Sequence, residues 1–203
     1  MTPPVSLSGA SAPDAPETDG RRRRAQDSRQ RIVEAMLALV HAGDPSPAAE
    51  QVAARAGVGL RTVFRHFRDM DSLYREISGV IEAELRTIVK TPFEGATPRD
   101  RVLELVRRRA AAYEKIGPFR RAWAVNRHRS RFLEADQARF VHIAREILKR
   151  EAPPEVARDK LKFEALDALL SFEAWERLRR DQDLTPRRAA EVVEYAVARL
   201  LDG

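Results

Sequence analysis

The 203 residues contain no cysteine, which excludes a disulfide scaffold, a thiolate metal site and a cysteine nucleophile. The absence fits a reducing compartment. Long apolar runs are missing too. The longest, Ala35 to Val40, is six residues, against the roughly eighteen or more that a spanning helix needs. The opening residues MTPPVSLSGA have neither a basic start nor an apolar stretch, so no secretory signal is expected. The expectation is a soluble, cytoplasmic protein without membrane contact. Histidine is scarce: His41, His66, His128 and His142 are far apart, with no metal-ligand spacing. There is no glycine-rich phosphate loop and no serine elbow. An enzyme is therefore not expected, and neither is a metal or cofactor, although distant residues of an all-helical enzyme can converge in space.

Basic charge is in excess, and its placement is uneven. Net charge is +6 over the chain. Residues 1–20 carry Asp14, Glu17 and Asp19 with no Lys or Arg, and four of the twelve prolines, which reads as a disordered tail. Residues 21–75 carry eleven arginines against six acids, starting with the run Arg21-Arg22-Arg23-Arg24. A basic stripe on a small subdomain is the footprint of a nucleic-acid binder, and the bland alternative is a solvated surface. The arginine run has two readings: a flexible basic arm that tracks phosphates or enters the minor groove, or a solubilising junction.

Nearly everything after residue 26 reads as helix, and no run of alternating β-branched residues marks a strand. Ile32, Met36, Leu39 and Val40 form an apolar stripe that Gly43 stops. Ser46-Pro47 predicts a helix start, with Ser46 as N-cap. Ala48–Arg55 and Leu60–Phe67 are short helices around the turn Ala56-Gly57-Val58-Gly59. Longer helices are expected from near Asp69 to Lys90, from Thr97-Pro98 to about Ile116 (broken by Gly117-Pro118), from about Arg131 to Arg150, from about Glu155 to Arg180, and from Thr185-Pro186 to near Leu201.

Two short helices joined by Ala-Gly-Val-Gly describe a helix-turn-helix, and Gly57 can take the positive φ that the reversal needs. At about 100° per residue, Arg65 lies about 40° and Arg68 about −20° from Arg61. Leu60, Val63, Phe64 and Phe67 gather on the other side. One face is apolar; the other presents three arginines with Thr62 and His66 at its edge. Arginine reads guanine bidentately, and Thr and His bond phosphates or base edges. Arg61, Thr62, Arg65 and His66 are the expected operator contacts.

Residues 46–74, SPAAEQVAARAGVGLRTVFRHFRDMDSLY, resemble the DNA-binding segment of the tetracycline-repressor (TetR) family of bacterial regulators. The matching elements are Val52-Ala53, Ala56-Gly57-Val58, Thr62 to Phe67 and Leu73. The resemblance implies an all-α fold: an N-terminal helix-turn-helix DNA-binding domain followed by a C-terminal helical ligand-binding and dimerisation domain. It implies a division at residues 1–24, 25–75 and 76–203, and a DNA-contacting set of Arg24, Ser46, Gly59, Leu60, Arg61, Thr62, Phe64, Arg65 and His66. This chain departs from the family at Gly59, where Ser is usual, at Phe64, where Tyr is common, and at Met70, where Lys is common.

The resemblance also implies a homodimer on palindromic double-stranded DNA and an unidentified, partly apolar small-molecule effector. In the larger half, Arg109 interrupts the apolar stripe of Val102, Leu105, Val106, Tyr113 and Ile116, and a buried charge needs a partner. Glu173 and Glu176 are candidates. A cavity lined by Tyr113, Trp123, Phe140 and Trp175, with Arg109 or His142 orienting a polar group, is one reading. A packed core with one internal ion pair is the other. The last two helices carry apolar residues on more than one side, which a two-fold interface would bury. The functional expectation is a repressor released from its operator by the effector. The alternative is a small-molecule-binding or adaptor protein with weakened DNA binding.

Overall fold

A computed structural model describes residues 16–202. The described residues are mainly helical, joined by short turns and loops, with no strand among them. The elements are α1 (Pro16–His41), α2 (Ala49–Ala56), α3 (Leu60–His66), α4 (Met70–Lys90), α5 (Pro98–Asn126), α6 (Arg131–Glu151), α7 (Pro154–Arg158), α8 (Lys160–Leu169), α9 (Phe172–Glu176) and α10 (Pro186–Asp202). A 3₁₀ turn, Arg127–Arg129, precedes α6, and a π-helical turn, Arg177–Asp181, follows α9. None of these helices is long and apolar enough to cross a membrane.

Several helix ends follow from local chemistry. The Asp69 carboxylate accepts the Ser72 N–H at 2.8 Å and caps α4. Thr97 and Asp100 close a reciprocal cap on α5, with Pro98 in its first turn. Gly57 ends α2 in the left-handed conformation, φ 63°.

Five expectations are corrected. The tail expected over residues 1–20 lies outside the described residues as far as residue 15, and from Pro16 the chain is helical. Arg21–Arg24 therefore form an exposed turn of α1 rather than a flexible arm. Arginine is a strong helix former, and nothing after Gly20 breaks the run. The α2 start lies at Ala48, whose N–H donates to Gln51 Oε1 at 2.7 Å, not at Ser46.

The expected break at Gly117-Pro118 is absent: α5 runs through Pro118 to Asn126. Gly117 is buried, and a Cβ there would lie 3.1 Å from Arg121 Nη1, whose Glu176 partner bridges α5 to α9. The expected helix from Glu155 to Arg180 is instead three pieces. The Asp159 carboxylate accepts from Leu161 and Lys162 N–H, and the Ser171 hydroxyl accepts from Ala174 N–H, so both side chains cap new starts within the run. Finally, α3 stops at His66. Phe67 is extended, which takes Arg68 off the helix.

One apolar cluster fills the helix-turn-helix head with Ile32, Met36, Val52, Val63, Phe67, Leu73 and Ile77, and continues into Phe119, Trp123 and Leu133 of α5 and α6. A second cluster joins α5, α6, α8 and α10, and a third joins α5, α9 and α10. The head thus shares its core with the C-terminal half of α5. This sharing exists only because α5 does not break at Pro118.

Candidate nucleic-acid interface and internal cavity

Helix α3 is seated by Val63, which is buried with Phe67 just beyond it. Arg61 and Arg65 are exposed, Thr62 and His66 are half-buried, and no carboxylate among the described residues pairs with either arginine. Leu60 and Phe64, expected on the apolar inner face, are 36% and 47% exposed. The seven-residue helix is too short to bury that side. Phe64 and Leu60 therefore flank the two arginines as an exposed apolar edge, suited to thymine methyl groups.

Gly59 is the N-cap and offers no side-chain cap. The far end of α3 is held by Arg29, which donates through Nη1 to the His66 carbonyl at 2.8 Å and through Nη2 to Glu76 at 2.9 Å, with its guanidinium over the Phe67 ring. Sequence reasoning missed this clamp, since α1 and α3 are joined only in space. Burial, then the charges of Arg65 and Arg29, hold the His66 pKa below its ordinary value, and its Nε2 is enclosed without a partner.

The remaining expected contacts are scattered. Arg24 is exposed on the first part of α1. The Ser46 hydroxyl donates to Asn126 Oδ1 at 2.9 Å, and Asn126 Nδ2 donates to the Pro45 carbonyl at 3.1 Å. The end of α5 therefore grips the loop before α2. Met70 begins α4 half-buried against the head core. Arg68, beyond the helix, contacts its neighbour Asp69 at 3.5 Å and is 94% exposed.

A cavity of about 320 Å³ lies between α4, α5 and α6. Arg109, Tyr113, Trp123 and Phe140 line it as expected; Trp175 and His142 do not. His142 is exposed because two residues turn α6 by about 200° from Phe140. Trp175 packs in the cluster with Tyr113, Ile116 and Phe172, its Nε1 donating to Glu114 at 2.9 Å. The α4 wall, Ser78, Ile81, Glu82 and Leu85, was not foreseen, although its spacing of three and four was readable in the sequence. Arg109 has no acidic partner among the described residues: it donates to the Leu170 carbonyl at 2.8 Å and the Ala144 carbonyl at 2.6 Å, and Tyr113 OH joins the same Leu170 carbonyl. Glu176 serves Arg121 instead. Burial pushes the Tyr113 pKa up.

The internal ion pair lies one face-repeat further along α5. Arg120 faces Asp136 of α6 at 3.5 Å, and its guanidinium lies over the Phe140 ring at 4.1 Å. Asp136 also pairs with Arg139 at 2.9 Å, and Arg139 reaches Glu82 of α4. Burial pulls the Arg120 pKa down, and the Asp136 charge partly restores it.

No protein-family profile and no curated protein sequence matches the chain. Solved structures do. A proposed transcriptional regulator from Streptomyces coelicolor A3(2) superposes with a TM-score of 0.61 at 21% identity, covering 87% of this chain and 99% of that one. A transcriptional regulator from Rhodococcus sp. Rha1 gives 0.64 at 19%, covering 87% and 97%. A TetR-like transcriptional regulator from Rhodococcus sp. RHA1 gives 0.55 at 20%, covering 89% and 96%. The chain has the all-α fold of TetR-like transcriptional regulators.

Proposed function

We propose that the chain is a transcriptional regulator of the TetR type, a homodimeric repressor that leaves a palindromic operator when a small molecule fills the cavity between α4, α5 and α6. The observation that carries this reading is the outward face of α3: Arg61 and Arg65 are exposed and unpaired among the described residues, beside Leu60 and Phe64, on a helix clamped at its far end by Arg29. Arginines with no internal partner remain available to phosphates and guanine edges. Residues 25–75 bind DNA in this reading, and residues 76–203 hold the effector and the partner copy.

Dimerisation is supported by the exposed side of α8 and α10, where Leu161 is 85%, Tyr195 66% and Val192 37% exposed, while Leu166, Val193 and Val197 fill the protomer's own core. A two-fold pair places the α3 helices about 34–36 Å apart, or a multiple, for successive major grooves. Helix α4 starts beside α3 and ends in the cavity wall. The Ser130 hydroxyl before α6 donates to Asp71 at 2.6 Å, and Asn126 holds the loop before α2. An effector that prefers one arrangement of α4 against α5 and α6 shifts the spacing of the two heads by its differential affinity.

The test is a titration of the full chain against DNA from its own upstream region and a shuffled duplex, at two salt concentrations. Preferential binding that weakens with salt is expected. Equal binding to both duplexes would overturn the regulator reading in favour of a ligand-binding or adaptor protein, for which Gly59 and Phe64 supply no hydroxyl to phosphate.

A further inference from the structure

The cavity is apolar along most of its wall, yet its lining carries six basic side chains against only two acidic ones, Glu82 and Asp136. Two of the basic groups are buried on one helix. Arg109 and Arg120 are 8% and 9% exposed, and eleven residues, three turns, set them on the same face of α5 about 16 Å apart. Between them lie Tyr113 and Ile116. Arg109 meets only carbonyl oxygens, so its charge is not neutralised by any described carboxylate. Arg120 is loosely held: its Asp136 contact is long at 3.5 Å, and its buried Nε has no hydrogen-bond partner. A buried guanidinium with open donors is costly to leave unmatched.

Resting on the cavity as the effector site, we infer that the effector is an amphipathic carboxylate whose acid group takes the place of Asp136 on Arg120, with its apolar tail along α5 toward Val89 and Ile143. The exchange is like for like, one carboxylate for another, each accepting from a planar guanidinium fork that can donate bidentately. Val89 and Ile143 line the cavity while 49% and 45% exposed, so an apolar tail finds its way in there. Asp136, once displaced, remains beside Arg139, which pairs with Glu82. The exchange therefore alters the ionic link between α6 and α4, the helix that begins next to the DNA-binding face.

Calorimetric titration of the full chain with decanoate, decanol and decyl sulfate tests this. Decanoate should bind at least about tenfold more tightly than decanol, the scale of one charge-assisted contact. Arg120→Gln should remove that preference while leaving decanol binding unchanged, and Arg120→Lys should keep part of it. Asp136→Asn, which removes the competing carboxylate, should tighten decanoate binding and leave decanol unaffected. Equal binding of acid and alcohol, or an Asp136→Asn variant that binds decanoate no better, would overturn the carboxylate and leave the cavity reading standing. Binding of decyl sulfate without decanoate would assign the site to a tetrahedral anion and overturn the carboxylate. Binding of none of the three would overturn this inference together with the cavity as a site for apolar ligands.

Discussion

Arginine is treated in opposite ways at the two ends of the molecule. In residues 20–75 only Arg29 and Arg68 meet a carboxylate among the described residues. The acids of this region do other work: Asp69 caps α4, Asp71 takes the Ser130 hydroxyl, and Asp44 accepts from Ser46 N–H and Gln51. In residues 76–202, twelve arginines pair with acids, most of them bridging separate helices. The same residue type is structural mortar in one half and an open surface in the other. A net charge cannot show this difference, because it counts a neutralised arginine and an unpaired one alike. Of the larger half's arginines that meet no acid among the described residues, Arg109 is the buried one, and it faces the cavity together with Arg120, which is paired to Asp136.

The contrast can be broken most strongly from the structural side. Glu151 is 8% exposed and holds Arg101 at 3.0 Å and Arg150 at 2.7 Å. Glu151→Ala should destabilise the fold by about 2 kcal/mol, less than a fully buried pair because its partners are partly solvated. Chemical denaturation measures it, and an unchanged midpoint would show that the body arginines contribute no stability.

On the open surface the effects should reverse. Arg61→Ala and Arg65→Ala should each weaken operator binding by about 1–3 kcal/mol while stability stays within about 0.5 kcal/mol of wild type. Binding curves and melts on the same preparations separate the two effects.

Arg68→Ala should act more weakly. Because it lies off α3, Arg68 should supply at most general phosphate attraction, so all duplexes should weaken alike and the salt slope should fall by about 1 or less.

The smallest effect concerns His66. Its folded pKa lies below the ordinary 6.5, so above that pH both folded and unfolded forms are neutral and the contribution is fully present. As pH falls below 6.5 the unfolded chain takes up the proton first, and stability declines until the folded pKa is passed. His66→Gln should flatten the part of the stability–pH profile just below 6.5, and an unaltered profile would show that Arg65, Arg29 and burial do not perturb this histidine.

The parts legible in the sequence are those decided locally. Gly57, Asp69, Thr97-Pro98 and Thr185-Pro186 mark helix ends through their own side chains or backbone, and the structure places ends at or next to each. What escaped was decided by distant contacts. Proline within a helix removes one donor, and sequence rules read Gly117-Pro118 as a stop. The structure instead carries α5 onward, because Phe119, Ala122 and Trp123 are buried against the head. That one expectation hid Arg120, since a break places it off the face of Arg109 and Tyr113. Arg109 was rightly singled out as a buried charge, but carbonyls rather than Glu173 or Glu176 satisfy it. Arg68 was misplaced by a single residue: Phe67 is pulled into the core, and that ends α3 one position early.

The proposed role of the α3 arginines, unpaired among the described residues, is to read a DNA sequence. Fluorescence anisotropy with the upstream duplex and a shuffled one, comparing wild type with the Arg61→Ala/Arg65→Ala double variant at equal salt, tests it most directly. Wild type should prefer the upstream duplex, and the double variant, folded as before, should bind both duplexes equally. A double variant that keeps the wild-type preference would contradict it.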